Sequence, residues 1–247
     1  MFAQQPNFVT QVTNNSHQFV QEPDIQSFIS LTAHFSVAEC DISYWQRLFG
    51  SQGINIDKMR QKRCAEFVAG RYLAWLAIKQ LTGTEHEVLA IGEDRAPVWP
   101  KGMIGCISHS NGQVVVMVKR QSQQSLLGVD IEKCLSIEQA KNLHQEFINV
   151  RELAVVEQSK VSETLSFSAF VTLIFSAKET IYKAYYPLVK TFFSFDAVEL
   201  VSHKPNQLIF KITDAFPSLD AAFLAGGLIA VNWTLQDDMV VTWLSSG

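Results

Sequence analysis

Phe175-Ser176-Ala177-Lys178-Glu179-Thr180-Ile181-Tyr182-Lys183-Ala184 is the stretch on which the reading of the fold turns. It predicts the centre of a long helix, running from about Ser168 to Tyr186, with Pro187 marking its end. Phe175, Ile181, Tyr182 and Ala184 supply apolar contact. Glu179 and Lys183 lie four apart on one face, with the Glu N-terminal to the Lys. Alone, that pair is a surface ion pair of about 0.3–0.5 kcal/mol. Two other stretches give it a second meaning. They are Gly128-Val129-Asp130-Ile131-Glu132 and Ile107-Ser108-His109-Ser110.

Leu126 to Ile131 predicts a strand. A period of two sends Asp130 and Glu132 to one side and Val129 and Ile131 to the other. Two like charges on one side repel unless a cation neutralises them, or unless the strand end simply reaches water. Asp130, Glu132 and Glu179 are oxygen ligands without His or thiolate, a set that suits a hard cation such as Mg²⁺. Arg63, Arg71, Arg95, Lys178, Lys183 and His109 are the candidate phosphate contacts. Carboxylates, a divalent cation and basic side chains together fit phosphoryl-type transfer, in which a carboxylate can also deprotonate a hydroxyl nucleophile. Neither a Walker-type stretch nor Gly-x-Gly-x-x-Gly is present.

Outward from these motifs, Asp57 to about Leu81 predicts the first strong helix, with Asp57 as N-cap and Gly83 as stop. Met59, Phe67, Val68, Trp75, Leu76 and Ile78 form its expected core stripe, with Arg60, Arg63 and Arg71 off that stripe. Gly70 weakens a helix by about 1 kcal/mol against Ala, so a close approach is expected there. Phe28 to Phe35 predicts a strand and Asp41 to Phe49 a short helix. Residues 1 to 30, polar and Gln/Asn-rich, read as an irregular lead-in. Glu93 to Gly105 reads as a binding loop. Ile104 to Ser108 and Gln113 to Lys119 form a hairpin around Ser110-Asn111-Gly112, with His109 at its mouth. Helices are expected at Ser136 to Phe147 and Arg151 to Gln158, then a polar linker. Strands follow at Phe195 to Ser202, Leu208 to Thr213, Gly226 to Leu235 and Met239 to Leu244. A polar joint at Gln121 to Ser125 divides the chain into halves 1–122 and 123–247, each of helices and mostly antiparallel strands. The fold class is therefore α+β.

The chain has 247 residues, 47% hydrophobic and 18% charged, enough for a sizeable core and unlike a disordered chain. A formal net charge of -4 gives no support to a nucleic-acid binder. Cys40, Cys64, Cys106 and Cys134 form no Cys-x-x-Cys pair and read as reduced thiols. Met1 to Thr10 lacks a signal sequence, and the apolar run Phe223 to Val231 is too short to span a bilayer. A soluble, cytoplasmic protein with no membrane span is expected.

The two carboxylate motifs, in this order, resemble the paired signature of the 4'-phosphopantetheinyl transferases. Arg63-Cys64-Ala65-Glu66-Phe67-Val68-Ala69-Gly70-Arg71 resembles the arginine helix of the siderophore-synthetase-activating (enterobactin-type) branch. Arg95-Ala96-Pro97-Val98-Trp99-Pro100, leading into Gly105-Cys106-Ile107-Ser108-His109-Ser110, is similar to that branch too. Phe175, where another branch has Trp, points the same way. The likeness runs in order from about Arg60 to Phe195.

The resemblance implies two similar halves related by a pseudo-twofold axis, with the active site in the cleft between them. It implies transfer of the phosphopantetheine arm from coenzyme A to a serine of an apo acyl or peptidyl carrier protein, releasing adenosine 3',5'-bisphosphate. Asp130, Glu132 and Glu179 would hold Mg²⁺, and Glu179 would deprotonate the carrier serine. Lys183 would contact the pyrophosphate, with Lys178 a second basic contact. Arg63, Arg71 and His109 would grip the 3'-phosphate, Arg95 the nucleotide end, and Ser108 would add a contact. Ser136 to Phe147 is the expected carrier-binding stretch, and a chain with two halves is expected to be a monomer. The competing readings are a coenzyme A-binding module without turnover, and an interaction protein whose charged motifs are solvated faces.

Overall fold

The computed structural model describes residues 2, 4–16, 28–157, 165–220, 223 and 225–246. The polar linker expected after Gln158 lies outside these residues. Two compact units divide the chain between Gln123 and Gln124.

In the first unit, β1 (Val9–Asn14), β2 (Ile29–Phe35), β3 (Met103–Ser110) and β4 (Gln113–Arg120) form an antiparallel sheet in the order β1-β2-β4-β3. β3 and β4 are the expected hairpin, turning at Asn111 and Gly112, both at positive φ. The helices are α1 (Ile42–Gly50) and α2 (Gln61–Thr82). Asp41 caps α1 by accepting from the Tyr44 amide at 3.0 Å. Gly83, at φ 73, ends α2 in the left-handed conformation that a side chain would resist.

Three expectations for this unit need correction. The lead-in is not irregular throughout. Phe2 and Phe8 are buried, Phe2 packs edge-on to Tyr72 at 5.2 Å, and β1 pairs with β2. β1 is hard to read because only Val9 is buried and the register shifts between Thr10 and Thr13, around Gln11 at φ 51. α2 starts at Gln61, with Arg60 rather than Asp57 in the cap position and no side-chain cap. The segment before it turns Ile54 and Ile56 into the core instead. Finally, α2 has no one-sided stripe. Every residue from Phe67 to Trp75 is buried, Arg71 included. Gly70 explains its own presence, since a Cβ there would sit 2.9 Å from Ile107 Cγ2 of β3.

The second unit carries β5 (Leu126–Lys133), β6 (Val198–Lys204), β7 (Gln207–Ile212), β8 (Leu228–Gln236) and β9 (Met239–Ser246) in the order β5-β9-β8-β7-β6, all antiparallel. Its helices are α3 (Ile137–Leu143), α4 (Val150–Glu157) and the 23-residue α5 (Phe167–Val189). Ser136 and Gln139 form a capping box on α3, which ends earlier than expected in a 3₁₀ turn, His144–Glu146. Phe195–Ala197 is a 3₁₀ turn before β6, and Gly226 and Gly227 at positive φ delay β8 to Leu228. Pro187 lies inside α5. It forfeits one helical hydrogen bond in the last turn, and the helix continues to Val189 before Lys190 closes it at φ 50.

Both units thus place one long helix on an antiparallel sheet, an α+β fold of two similar halves. The four cysteines are not joined in disulfides. Among the described residues, no helix is long and apolar enough to cross a membrane.

Candidate functional site

In the second unit, the site begins at Gly128. A Cβ there would lie 2.3 Å from the carbonyl oxygen of Thr180, so only glycine lets β5 press this closely on α5. Two residues on, and facing the same way, is Asp130, 1% exposed and opposite Thr242 of β9. Its Oδ1 accepts from Lys183 Nζ at 2.5 Å, and its Oδ2 from Ser176 Oγ at 2.8 Å. Ser176, Thr180 and Lys183 recur at helical spacing along one face of α5.

Glu179 joins this group electrostatically. Burial pushes its carboxyl above the ordinary carboxylate range, the nearby Asp130 charge pushes the same way, and Lys183 opposes both. The structure therefore pairs Asp130 with Lys183, with Glu179 close enough to feel both charges. Glu132, on the same side of β5 as Asp130, is partly buried. Among the described residues no three of His, Cys, Asp and Glu converge as a metal cluster. The chemistry of the Asp130–Glu179 pair still fits a hard dication. Two carboxylates in a poorly solvated place, with one lysine paired to Asp130, carry surplus negative charge that oxygen-coordinated Mg²⁺ would neutralise.

Lys178 is placed differently from its expected role. It is 3% exposed, and its ammonium donates to Glu152 Oε2 at 3.0 Å and the Phe195 carbonyl at 3.1 Å, with Glu152 Oε1 2.8 Å away in the same ion pair. These contacts turn the ammonium toward Glu152 and Phe195. Burial lowers its pKa while Glu152 works to raise it. Glu152 also accepts from the Asn149 and Leu200 amides, both at 2.9 Å, so one carboxylate ties α4, β6 and α5 together. Sequence reasoning missed Glu152. The only signal was an acid at the start of a short helix, where acids are common. Beside Glu179 opens a cavity of about 170 Å³, walled mainly by Tyr182, Phe192, Phe193, Phe195 and Val198.

In the first unit, α2 and β3 gather a basic group. Arg63 Nη1 lies 2.9 Å from His109 Nε2. A guanidinium only donates, so this imidazole nitrogen accepts and the other carries hydrogen, 3.8 Å from Glu66 Oε1. Arg71 is 5% exposed. Its Nε donates to the Leu89 carbonyl at 2.9 Å, and its guanidinium lies over the Phe67 ring at 4.6 Å. Burial, then repulsion from Arg63, pulls its pKa down to about 10. The two guanidinium groups repel one another, and Arg63 Nη1 also lies 3.5 Å from Glu66 Oε2. Ser108 is buried on β3, opposite Val115. Arg95 sits at φ 66 in a tight turn, its amide donating to the Gly92 carbonyl at 2.9 Å.

Residues 52–119 match the family model described as the 4'-phosphopantetheinyl transferase N-terminal domain, and residues 126–235 match that of the 4'-phosphopantetheinyl transferase superfamily. Enterobactin synthase component D of Salmonella typhi is 33% identical over 193 residues, covering 77% of this chain and 76% of its own length. Enterobactin synthase component D of Escherichia coli (strain K12) is 31% identical, covering 74% of this chain and 77% of its own. The 4'-phosphopantetheinyl transferase Npt of Nocardia iowensis is 28% identical, covering 59% and 62%.

Proposed function

The chain belongs to the 4'-phosphopantetheinyl transferase superfamily, with its similarity strongest to the siderophore type, and from that premise we propose how its residues divide the reaction. The enzyme moves the 4'-phosphopantetheine arm of coenzyme A onto a carrier-protein serine and releases adenosine 3',5'-bisphosphate. The observation that carries the residue assignment is the Lys183–Asp130 ion pair between α5 and β5, with Glu179 near enough to feel both charges.

Glu179 is proposed as the base for the carrier serine. A carboxylate raised by burial is a stronger base than a solvated one, which suits it to a hydroxyl proton. Lys183 holds its ammonium beside Asp130 and would turn it to the pyrophosphate, offsetting the charge that grows on the departing phosphate oxygen. Asp130 and Glu179 would hold Mg²⁺, with Glu132 as the third carboxylate. Bound there, the ion would supply electrophilic stabilisation of the pyrophosphate. Arg63, Arg71 and His109 are proposed to take the 3'-phosphate, with Arg95 and Ser108 at the nucleotide end. In this proposal the first unit serves the nucleotide and the second the chemistry. Lys178 has a different part, because its ammonium is turned toward Glu152 and Phe195. It holds the wall of the cavity beside Glu179.

The proposed carrier surface is α3 and its surroundings, where Ile137 is 63% exposed and Phe167 42% exposed. The partner would be an apo acyl or peptidyl carrier protein or domain. A cytoplasmic monomer is part of the same proposal. The test is intact-mass spectrometry of an apo peptidyl carrier domain incubated with the enzyme and coenzyme A, with Mg²⁺ or with EDTA. The carrier should gain one phosphopantetheine arm with Mg²⁺ and none with EDTA. Full modification in EDTA would refute the metal assignment.

A further inference from the structure

Behind Asp130 lies a row of buried hydroxyls that the reaction, as assigned above, does not use. Ser176 Oγ donates to Asp130 Oδ2 at 2.8 Å. Thr242 Oγ1 lies 2.9 Å from Ser176 Oγ, and Thr180 Oγ1 lies 2.6 Å from Thr242 Oγ1. All three residues are fully buried. Ser176 and Thr180 are one helical turn apart on α5, while Thr242 reaches in from β9, where it faces Asp130 across the ladder. Thr242 lies beyond residue 235, where the family match ends.

The direction of the hydrogens next to Asp130 follows from counting. An ionised carboxylate only accepts, and a hydroxyl has one hydrogen to give. Ser176 spends its hydrogen on Asp130, so Thr242 donates to Ser176. Thr180 Oγ1 stands behind them, 2.6 Å from Thr242 Oγ1 and 3.2 Å from the Thr242 carbonyl, to which it can donate. The Ser176 and Thr242 O–H dipoles therefore point toward one carboxylate oxygen. Chains of this kind polarise each other, and burial keeps water from competing. They also pin the carboxylate plane and leave Oδ1 as the oxygen turned to Lys183.

We propose that Thr242, acting through Ser176 and with Thr180 behind it, is a positioning residue that orients and charges Asp130 for its work on metal and pyrophosphate. This rests on the reading of Asp130 as a metal-holding carboxylate. Outer partners of ligating carboxylates commonly change metal affinity by about 10–100-fold when removed. Thr242→Val deletes the link at nearly constant volume, and Thr242→Ser restores the hydroxyl.

The test measures Mn²⁺ affinity by electron paramagnetic resonance on the full chain with coenzyme A present, alongside the Mg²⁺ concentration giving half-maximal transfer. Thr242→Val should weaken Mn²⁺ binding about tenfold and raise that Mg²⁺ concentration in parallel, with Thr242→Ser within about twofold of wild type. Thr172→Val is the control. It removes another buried hydroxyl of α5, one bonded to Ser168 and Leu135 rather than to Asp130, and should lower stability without changing metal affinity. Asp130→Asn separates the two layers of the argument. If it abolishes Mn²⁺ binding while Thr242→Val leaves it within twofold, the positioning role is overturned and the metal reading stands. If neither variant weakens Mn²⁺ binding, both fall. Should Thr242→Val not fold, Ser176→Ala, which removes the donor next to Asp130, takes its place with the same expected loss.

Discussion

Lys178 and Glu152 form a buried pair whose removal has a calculable asymmetry. Lys178→Met strands an ionised carboxylate that is 0% exposed, and one-sided loss of a buried pair costs about 3–5 kcal/mol. Adding Glu152→Gln removes the stranded charge but keeps one oxygen for the two amides, Asn149 and Leu200, that donate to separate carboxylate oxygens. The double variant should therefore recover part of that loss in urea melts; a second loss on top of the first would contradict the pairing. Lys119 makes a pH-dependent prediction. It is 1% exposed, and burial pushes its pKa down to about 8. Between about pH 8 and the unfolded lysine value of about 10.4, the unfolded chain binds more protons, so stability contributed at Lys119 rises with pH. The urea midpoint of wild type relative to Lys119→Met should therefore increase from pH 7 to pH 9.5. The acids and bases of the site were legible as residue types. Their partners were not, because Lys178 meets Glu152 26 residues away and Ser176 meets Thr242 66 residues away. Only folding brings such residues together, α4 onto α5 in the first case and β9 onto α5 in the second.

The elements were legible wherever burial is periodic or punctuated. The β3–β4 hairpin followed from its Asn111-Gly112 turn, and α5 from its length and apolar content. β1 was lost because its burial does not alternate and a register shift interrupts it. The continuous burial of α2 likewise hid the fact that Arg71 sits inside. Pro187 misled because a proline near a helix C-terminus removes only one hydrogen bond, and packing of the last turn outweighs that loss. Gly128 sets the contact between β5 and α5. Gly128→Ala drives a Cβ to 2.3 Å from a backbone oxygen that cannot swing away, so it should cost about 1–3 kcal/mol or more. Because the shift moves α5 against Asp130, transfer activity should fall further than the lost stability alone explains. Unchanged activity with unchanged stability would show that the contact is loose.

At the scale of the whole chain, two units repeat one plan, a long helix on an antiparallel sheet, with different charged side chains gathered on each. The first gathers Arg63, Arg71 and His109; the second gathers Asp130, Glu179 and Lys183. In the proposed reaction the basic group would take a phosphate and the acidic group a dication, the two requirements for handling a metal-bound coenzyme A. The central claim is that Glu179 carries the proton transfer. The most direct measurement is rapid-quench single turnover with saturating coenzyme A, Mg²⁺ and an apo peptidyl carrier domain, for wild type and Glu179→Gln. The account predicts that Glu179→Gln slows phosphopantetheine transfer by about 10²–10⁴-fold while the enzyme still folds and binds coenzyme A. A Glu179→Gln rate within tenfold of wild type would contradict it.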